Sequence, residues 1–231
     1  MNKKILMVLT SHAQLGNTGK QTGVWAEEFV LPYYALADVG YDITLASPKG
    51  SSVPFAPASI KPKGENSTEI ERFLADVEVQ IKVKNTAVTT SIDMTPFDGV
   101  FFPGGHGTMW DFPHDVGIKN IIEQSFSSKK PIAAVCHGPA ALVSAKRPDG
   151  QSLLQGKHVN AFTNDEEIAV GLMDIVPFTL EETFITLGAK FEKTANFQPF
   201  AVRDGLLITG QNPSSTALVT AHFIAALNDS I

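Results

Sequence analysis

Cysteine is nearly absent from this 231-residue chain: Cys136 stands alone, so no internal disulfide can form. Long apolar runs are missing too, and none approaches the ~20 residues that cross a bilayer. The N-terminal MNKKILMVLTSHAQ has a basic start, but its apolar run covers only residues 5–9 and no small-residue cleavage site follows, so it reads as a first strand rather than a leader. These absences point to the cytoplasm and away from any membrane partner. Charge is sparse: 18% of residues carry one, the net charge is −6, and the six histidines are scattered. With no basic stripe to neutralise phosphates, nucleic acid is excluded as a partner. His and Cys at metal-ligand spacing are also lacking, so no metal is expected. GNTGKQT at residues 16–22 fails as a phosphate loop, since Gln14 stands where glycine is required and Gln21 where serine or threonine is. No repeat, low-complexity tract or linker divides the chain, and its 43% hydrophobic content suffices for one core, so residues 1–231 are read as a single domain.

What is present alternates between strand and helix. Residues 4–10 form a short apolar run that suits a strand buried on both faces. Between residues 24 and 39, Trp25, Phe29, Tyr33, Leu36 and Ala37 recur at helical spacing, Gly40 ends the helix, and residues 41–47 read as a second strand. That βαβ unit implies a parallel sheet. Residues 50–95 are expected to be a long loop with one helical excursion, on which Ile70, Phe73, Leu74, Val77 and Ile81 share a face. The alternation resumes with strands at 99–103 and 131–135 and helices at 118–127 and 139–146. Further strands are predicted at 157–162 and 206–209, helices at 180–187 and 214–227, and a hairpin or edge ladder at 191–202.

The chemistry concentrates in PIAAVCHGPAAL, residues 131–142: an apolar strand, then small-x-Cys-x-Gly, then a helix. A nucleophile elbow reverses so tightly that side chains two positions either side of the nucleophile must be small, and Ala134 and Gly138 comply. Cys136 therefore fits the nucleophile slot. The positive end of the following helix would favour its thiolate, and the backbone N–H of His137 would be free for an oxyanion. The His137 imidazole is the candidate proton carrier, although neighbours on a regular helix do not face each other, so the elbow must distort for the pair to cooperate. FFPGGHGTM, residues 101–109, is a glycine turn at a strand end, where Gly104 and Gly105 let backbone amides approach a ligand and the Gly105 N–H is the expected second oxyanion donor. Glu27 and Glu28, and the NDEE run at 164–167 capped by Asn164 or Asp165, read locally as helix starts.

With AAVCHGPAAL, PGGHGTMWDFP, TGVWAEEFVLPYYAL and the closing TGQNPSST, the chain resembles the ThiJ/PfpI superfamily, and within it the heat-shock chaperone and glyoxalase III branch. The likeness spans nearly the whole chain and implies an α/β, flavodoxin-like fold: a parallel sheet sandwiched by helices, of the class I glutamine amidotransferase type. It also implies a cysteine nucleophile at Cys136 with His137 as partner. Counting from Thr22 along the TG-V-aromatic-x-x-Glu pattern, the glutamate that hydrogen-bonds the sulfur is Glu28 and not Glu27. The acid that orients the histidine falls on Glu167, with Asp165 and Glu166 as close neighbours.

The resemblance implies a lyase of glyoxalase III type that converts methylglyoxal to lactate without glutathione, metal or any other cofactor, working as a homodimer. Two other functions use the same features. An amidase or peptidase would employ the thiolate as an acyl nucleophile. A stress chaperone or redox sensor would instead need exposed apolar surface, for which Trp110, Phe112 and the loop at Phe55 are candidates.

Overall fold

The structure, a computed structural model, describes residues 2–229. Its strands are β1 (Lys4–Val8), β2 (Asp42–Ser47), β3 (Ala87–Val88), β4 (Gly99–Phe102), β5 (Ile132–Val135), β6 (His158–Val159), β7 (Lys190–Phe191), β8 (Ala201–Asp204) and β9 (Leu207–Gly210). Its helices are α1 (Ala26–Asp38), α2 (Thr68–Ala75), α3 (Val77–Lys84), α4 (Thr108–Asp111), α5 (Val116–Ser127), α6 (Asn164–Val170), α7 (Leu180–Thr186) and α8 (Thr216–Asp229). Seven strands form one sheet in the order β3-β2-β1-β4-β5-β9-β8, parallel except for the antiparallel edge strand β8. The α/β, flavodoxin-like expectation holds.

Period-two alternation explains why the short strands are apolar throughout. Ile5 and Met7 of β1 join Phe29 of α1 and Phe223 of α8 in the core on one face. Leu6 and Val8 join Ile118 and Ile121 of α5 and Phe184 of α7 on the other. With both faces covered there is no polar side for the strand to show, and each such fully buried side chain contributes about 1.5–3 kcal/mol by leaving water.

Local departures from expectation have local causes. The excursion in residues 50–95 is two helices rather than one, because Asp76 ends α2 and its carboxylate accepts from the N–H groups of Glu78 and Val79, both at 3.1 Å, to start α3. The break resets the helical phase, so in α3 Val79 and Val83 are buried while Val77 and Ile81 are exposed; in α2 Ile70 and Phe73 are buried and Leu74 is exposed. After the elbow, residues 138–142 form a 3₁₀ turn in place of the predicted 139–146 helix. No hairpin spans 191–202: β7 pairs in parallel with β6 in a separate two-stranded ladder, and the true hairpin joins β8 to β9. Of residues 157–162 only two are strand. Phe112 is fully buried and Trp110 and Phe55 are partly buried, so none of the three offers the open apolar surface considered for a chaperone. No described helix is long and apolar enough to cross a membrane.

Ligands of such sheets collect beyond the carboxyl ends of the strands. There β4 runs into the Gly104–Gly105 turn, β5 into Cys136 and β9 into Gln211 and Asn212. Gly138 lets the chain after Cys136 pass close to β4, since a Cβ there would collide with the Phe102 carbonyl oxygen. Gly138→Ala should therefore cost about 2 kcal/mol by overpacking and lower Tm by about 4–8 °C. A thermal melt that matches the parent would show that this approach is not tight.

Candidate active site

Cys136 adopts φ +60°, a left-handed backbone unusual for a residue with a Cβ, and it does so directly after the buried strand β5. Its N–H donates to the Gly210 carbonyl at 2.8 Å and its own carbonyl accepts from Phe162 N–H at 2.9 Å. Pinned on both sides, the elbow turns the sulfur toward its neighbour's ring: Sγ lies 3.2 Å from His137 Nδ1. Two adjacent side chains thus meet, which no regular helix allows.

His137 is fully buried, and its Nε2–H donates to Glu167 Oε1 at 2.6 Å. Burial, and then the neighbouring His106, push the imidazole pKa down to about 4, so the ring is neutral at pH 7. Burial alone would raise Glu167, but attraction to His137 and hydrogen bonds from His106 and His137 outweigh it and hold the carboxyl at about 2. An ionised carboxylate can only accept. The proton of neutral His137 therefore sits on Nε2, leaving the Nδ1 lone pair facing the sulfur.

Among the three adjacent acids, the fold separates the duties. Glu167 meets His137, whereas Asp165 is on the surface against Lys193. Glu166 forms a capping box with Thr163, which is the N-cap of α6 in place of Asn164 or Asp165.

Glu28, in the first turn of α1, is fully buried while Glu27 is half-buried among Lys61, Glu65 and Ser67. Glu28 Oε2 accepts from Gly104 N–H at 2.9 Å. Oε1 has no conventional partner, and the carboxyl's remaining interaction is with the Cys136 sulfur. Burial raises this carboxyl to about 8, so at neutral pH it is protonated, with its proton available to the adjacent sulfur. Burial also pushes the thiol up, and a Glu28 carboxylate would push it further. That second push is absent while Glu28 keeps its proton. The thiolate thus gets no help from a long helix dipole; its stabilisation must come from the Glu28 proton and from His137.

Around the sulfur lies a cavity of about 190 Å³ lined by Trp25, Gly105, His106, Phe162, Val170, Phe197 and Pro213 along with the groups already described. Gly104 cannot serve as an oxyanion donor, because its N–H is committed to Glu28. The N–H groups of Gly105 and His137 have no acceptor among the described residues. Gly105, at φ +103°, must lack a side chain because a Cβ would strike the Gly23 carbonyl.

His106 is the functional candidate that sequence reasoning passed over. Its Nε2 lies 3.2 Å from Glu167 Oε2 and its ring centroid 3.9 Å from that of His137. The signal was in the GGHG turn, whose strand β4 is hydrogen-bonded to β5. His106, His137 and Glu167 place donor atoms within 4.8 Å of one another, a composition able to hold a metal that no local spacing could reveal. Here those atoms bond one another.

Residues 21–226 match the DJ-1/PfpI family. Glyoxalase 3 of Candida albicans is 31% identical over 96% of this chain and 98% of its own length. A glutathione-independent glyoxalase of Schizosaccharomyces pombe is also 31% identical, over 92% of this chain and 91% of its own. Among solved structures, Rapid Encystment Protein 24 kDa of Francisella tularensis superposes with a TM-score of 0.93 at 36% identity, covering 97% of this chain and 99% of that one. Glyoxalase III of Candida albicans gives 0.89 at 30%, covering 97% of each. Sequence, fold and near-complete coverage agree: the chain belongs to the DJ-1/PfpI family.

Proposed function

We propose that this protein is a glutathione-independent glyoxalase, with Cys136 as nucleophile and methylglyoxal, or an aldehyde of the same class, as substrate. The observation that carries the reading is the relay from Glu167 through His137 to the sulfur, with bonds of 2.6 and 3.2 Å, beside two uncommitted backbone N–H groups. The names of its relatives support the same chemistry.

The thiol proton passes to His137 Nδ1, and Glu167 stabilises the imidazolium that forms. Sulfur adds to the aldehyde carbon, whose oxygen becomes an oxyanion received by the N–H groups of Gly105 and His137. Protonation gives a hemithioacetal. Removal of the hydrogen on that carbon, and return of a proton to the second carbon through the enediol, yields a lactate thioester with no net oxidation. Glu28, protonated and beside the sulfur, is suited to donate and recover that proton, with His137 as its counterpart. Water then cleaves the thioester, releasing lactate and the thiol. A cavity of about 190 Å³ matches the size of a small aldehyde, which sets this reading above the peptidase. A reduced thiol fits the cytoplasm, and a homodimer completes the proposal.

Purified protein should form lactate from methylglyoxal without glutathione. Cys136→Ala should lose this completely while keeping its Tm, whereas wild-type turnover in that variant would rule out the covalent route. Glu167→Gln, which leaves the ring without an anionic acceptor, should reduce kcat by roughly 10²–10⁴.

The pH profile of kcat/KM follows from the two shifted groups. His137 must be unprotonated to accept the thiol proton, so the acid limb lies near 4. Glu28 carries its proton only below its raised value, so activity should fall as pH rises through about 8. The residual activity of Glu28→Gln should lack that alkaline limb. A limb that persists there near pH 8 belongs to another group and removes Glu28 from the proton transfer.

A further inference from the structure

The cavity divides into a polar floor, made by Cys136, His137, Glu28 and Gly105, and walls that are almost wholly apolar. Phe197 is the wall residue whose position needs most explanation. Its backbone is left-handed at φ +60°, it belongs to the irregular segment 192–200, and it is 42% exposed. Its ring lies 6.3 Å from Phe162, which itself lies 4.4 Å from the ring of His137.

A buried charge holds it there. Phe197 N–H donates at 2.7 Å to Oε1 of Glu166, a carboxylate with no exposed surface. The same oxygen accepts from Gln211 Nε2 at 3.1 Å and Asn212 Nδ2 at 2.8 Å, and Oε2 accepts from Thr163 N–H and Oγ1 at 3.0 and 3.1 Å. None of the ion pairs among the described residues involves Glu166. Gln211 also accepts from Thr194 N–H at 2.9 Å, and Asn212 donates to the Gln198 carbonyl at 2.9 Å. The TGQN motif, which has no part in the chemistry above, thus joins Glu166 in stapling segment 194–198 beside the cavity. Burying a carboxylate among neutral donors is costly, and what the arrangement secures is the strained backbone that presents Phe197.

We infer that Phe197, positioned by Glu166, is a specificity-determining residue that makes the site favour α-oxoaldehydes bearing an aryl or other bulky apolar group over methylglyoxal. The inference rests on the glyoxalase reading. The two reacting carbons are claimed by the sulfur and the N–H groups of the floor, so the substituent on the second carbon is left to the walls. A methyl group leaves Phe197 and the 43% exposed Val170 largely in water; a phenyl group covers them.

The test compares kcat/KM for phenylglyoxal and methylglyoxal in the parent, Phe197→Ala and Glu166→Gln, with Tm recorded for each. The parent should prefer phenylglyoxal by roughly tenfold or more. That ratio should collapse about tenfold in Phe197→Ala. Glu166→Gln, which places two donor hydrogens among donors, should lower the ratio as well, mainly through KM; if it does not fold, Phe197→Ala decides. A turnover-free readout separates this inference from the reaction itself: mandelate should protect Cys136 from iodoacetamide at lower concentration than lactate does, and Phe197→Ala should erase the difference. Mandelate protection without turnover of either aldehyde would sink the glyoxalase reading and leave the wall assignment standing. Turnover with no preference in the parent, or with a ratio unmoved in Phe197→Ala, overturns the inference.

Discussion

The left-handed backbone at Cys136 is the constraint from which the site follows. Such a conformation costs of order 1–3 kcal/mol for a residue with a side chain and survives only where the surroundings over-determine it. Here β9 holds its N–H and the segment entering α6 holds its carbonyl, while Gly138 lets the outgoing chain press against β4. Each clamp also delivers something to the site. The Gly210 contact precedes the Gln211–Asn212 pair, the Phe162 contact leads into Thr163 and the helix bearing Glu167, and β4 brings the turn with Gly105 and His106. Relaxing the elbow would release the nucleophile from its histidine and the histidine from its acid together.

Burial then decides where the protons reside. A carboxyl at zero exposure beside a thiol, with one backbone N–H for its second oxygen, is better neutral than charged, which is why Glu28 keeps its proton to about pH 8. Glu167 is almost as buried but lies between two imidazoles, and it ionises readily. Two glutamates in one small site end in opposite states, Glu28 kept a proton donor by burial and Glu167 made a fixed anion by its imidazole partners. That divergence marks acid and base assignments more securely than residue type does.

The sheet was legible because its signal is local: short apolar strands, turn residues and intervening helical periodicity recur wherever a parallel strand is buried on both faces. The elbow was legible for a related reason, since small residues at 134 and 138 answer a steric demand within five positions. Asp76 defeated the helix reading at residues 70–81, because an N-cap in the middle of an amphipathic run looks like one more polar position until its carboxylate is seen bonding two N–H groups. The 3₁₀ turn after Cys136 was missed because a run of alanine and leucine favours helix on propensity, while the close passage beneath Phe102 sets the actual geometry. His106 was hidden by distance: 61 residues separate it from Glu167, and only strand pairing unites them.

Glu166 and Glu167 show what sequence adjacency conceals. Successive helical residues point about 100° apart, so one carboxylate enters the imidazole pair while the other enters a nest of amides and a threonine. Both are buried within a single turn of α6, and the two networks share that turn as their common mount. Displacing α6 would therefore disturb the tautomer of His137 and the wall at Phe197 together, which links proton transfer to substrate fit through one short helix. A buried carboxylate at this place is better understood as the means of holding two parts of the cavity in register than as a source of stability, since its donors would be satisfied equally well by water if the segment opened.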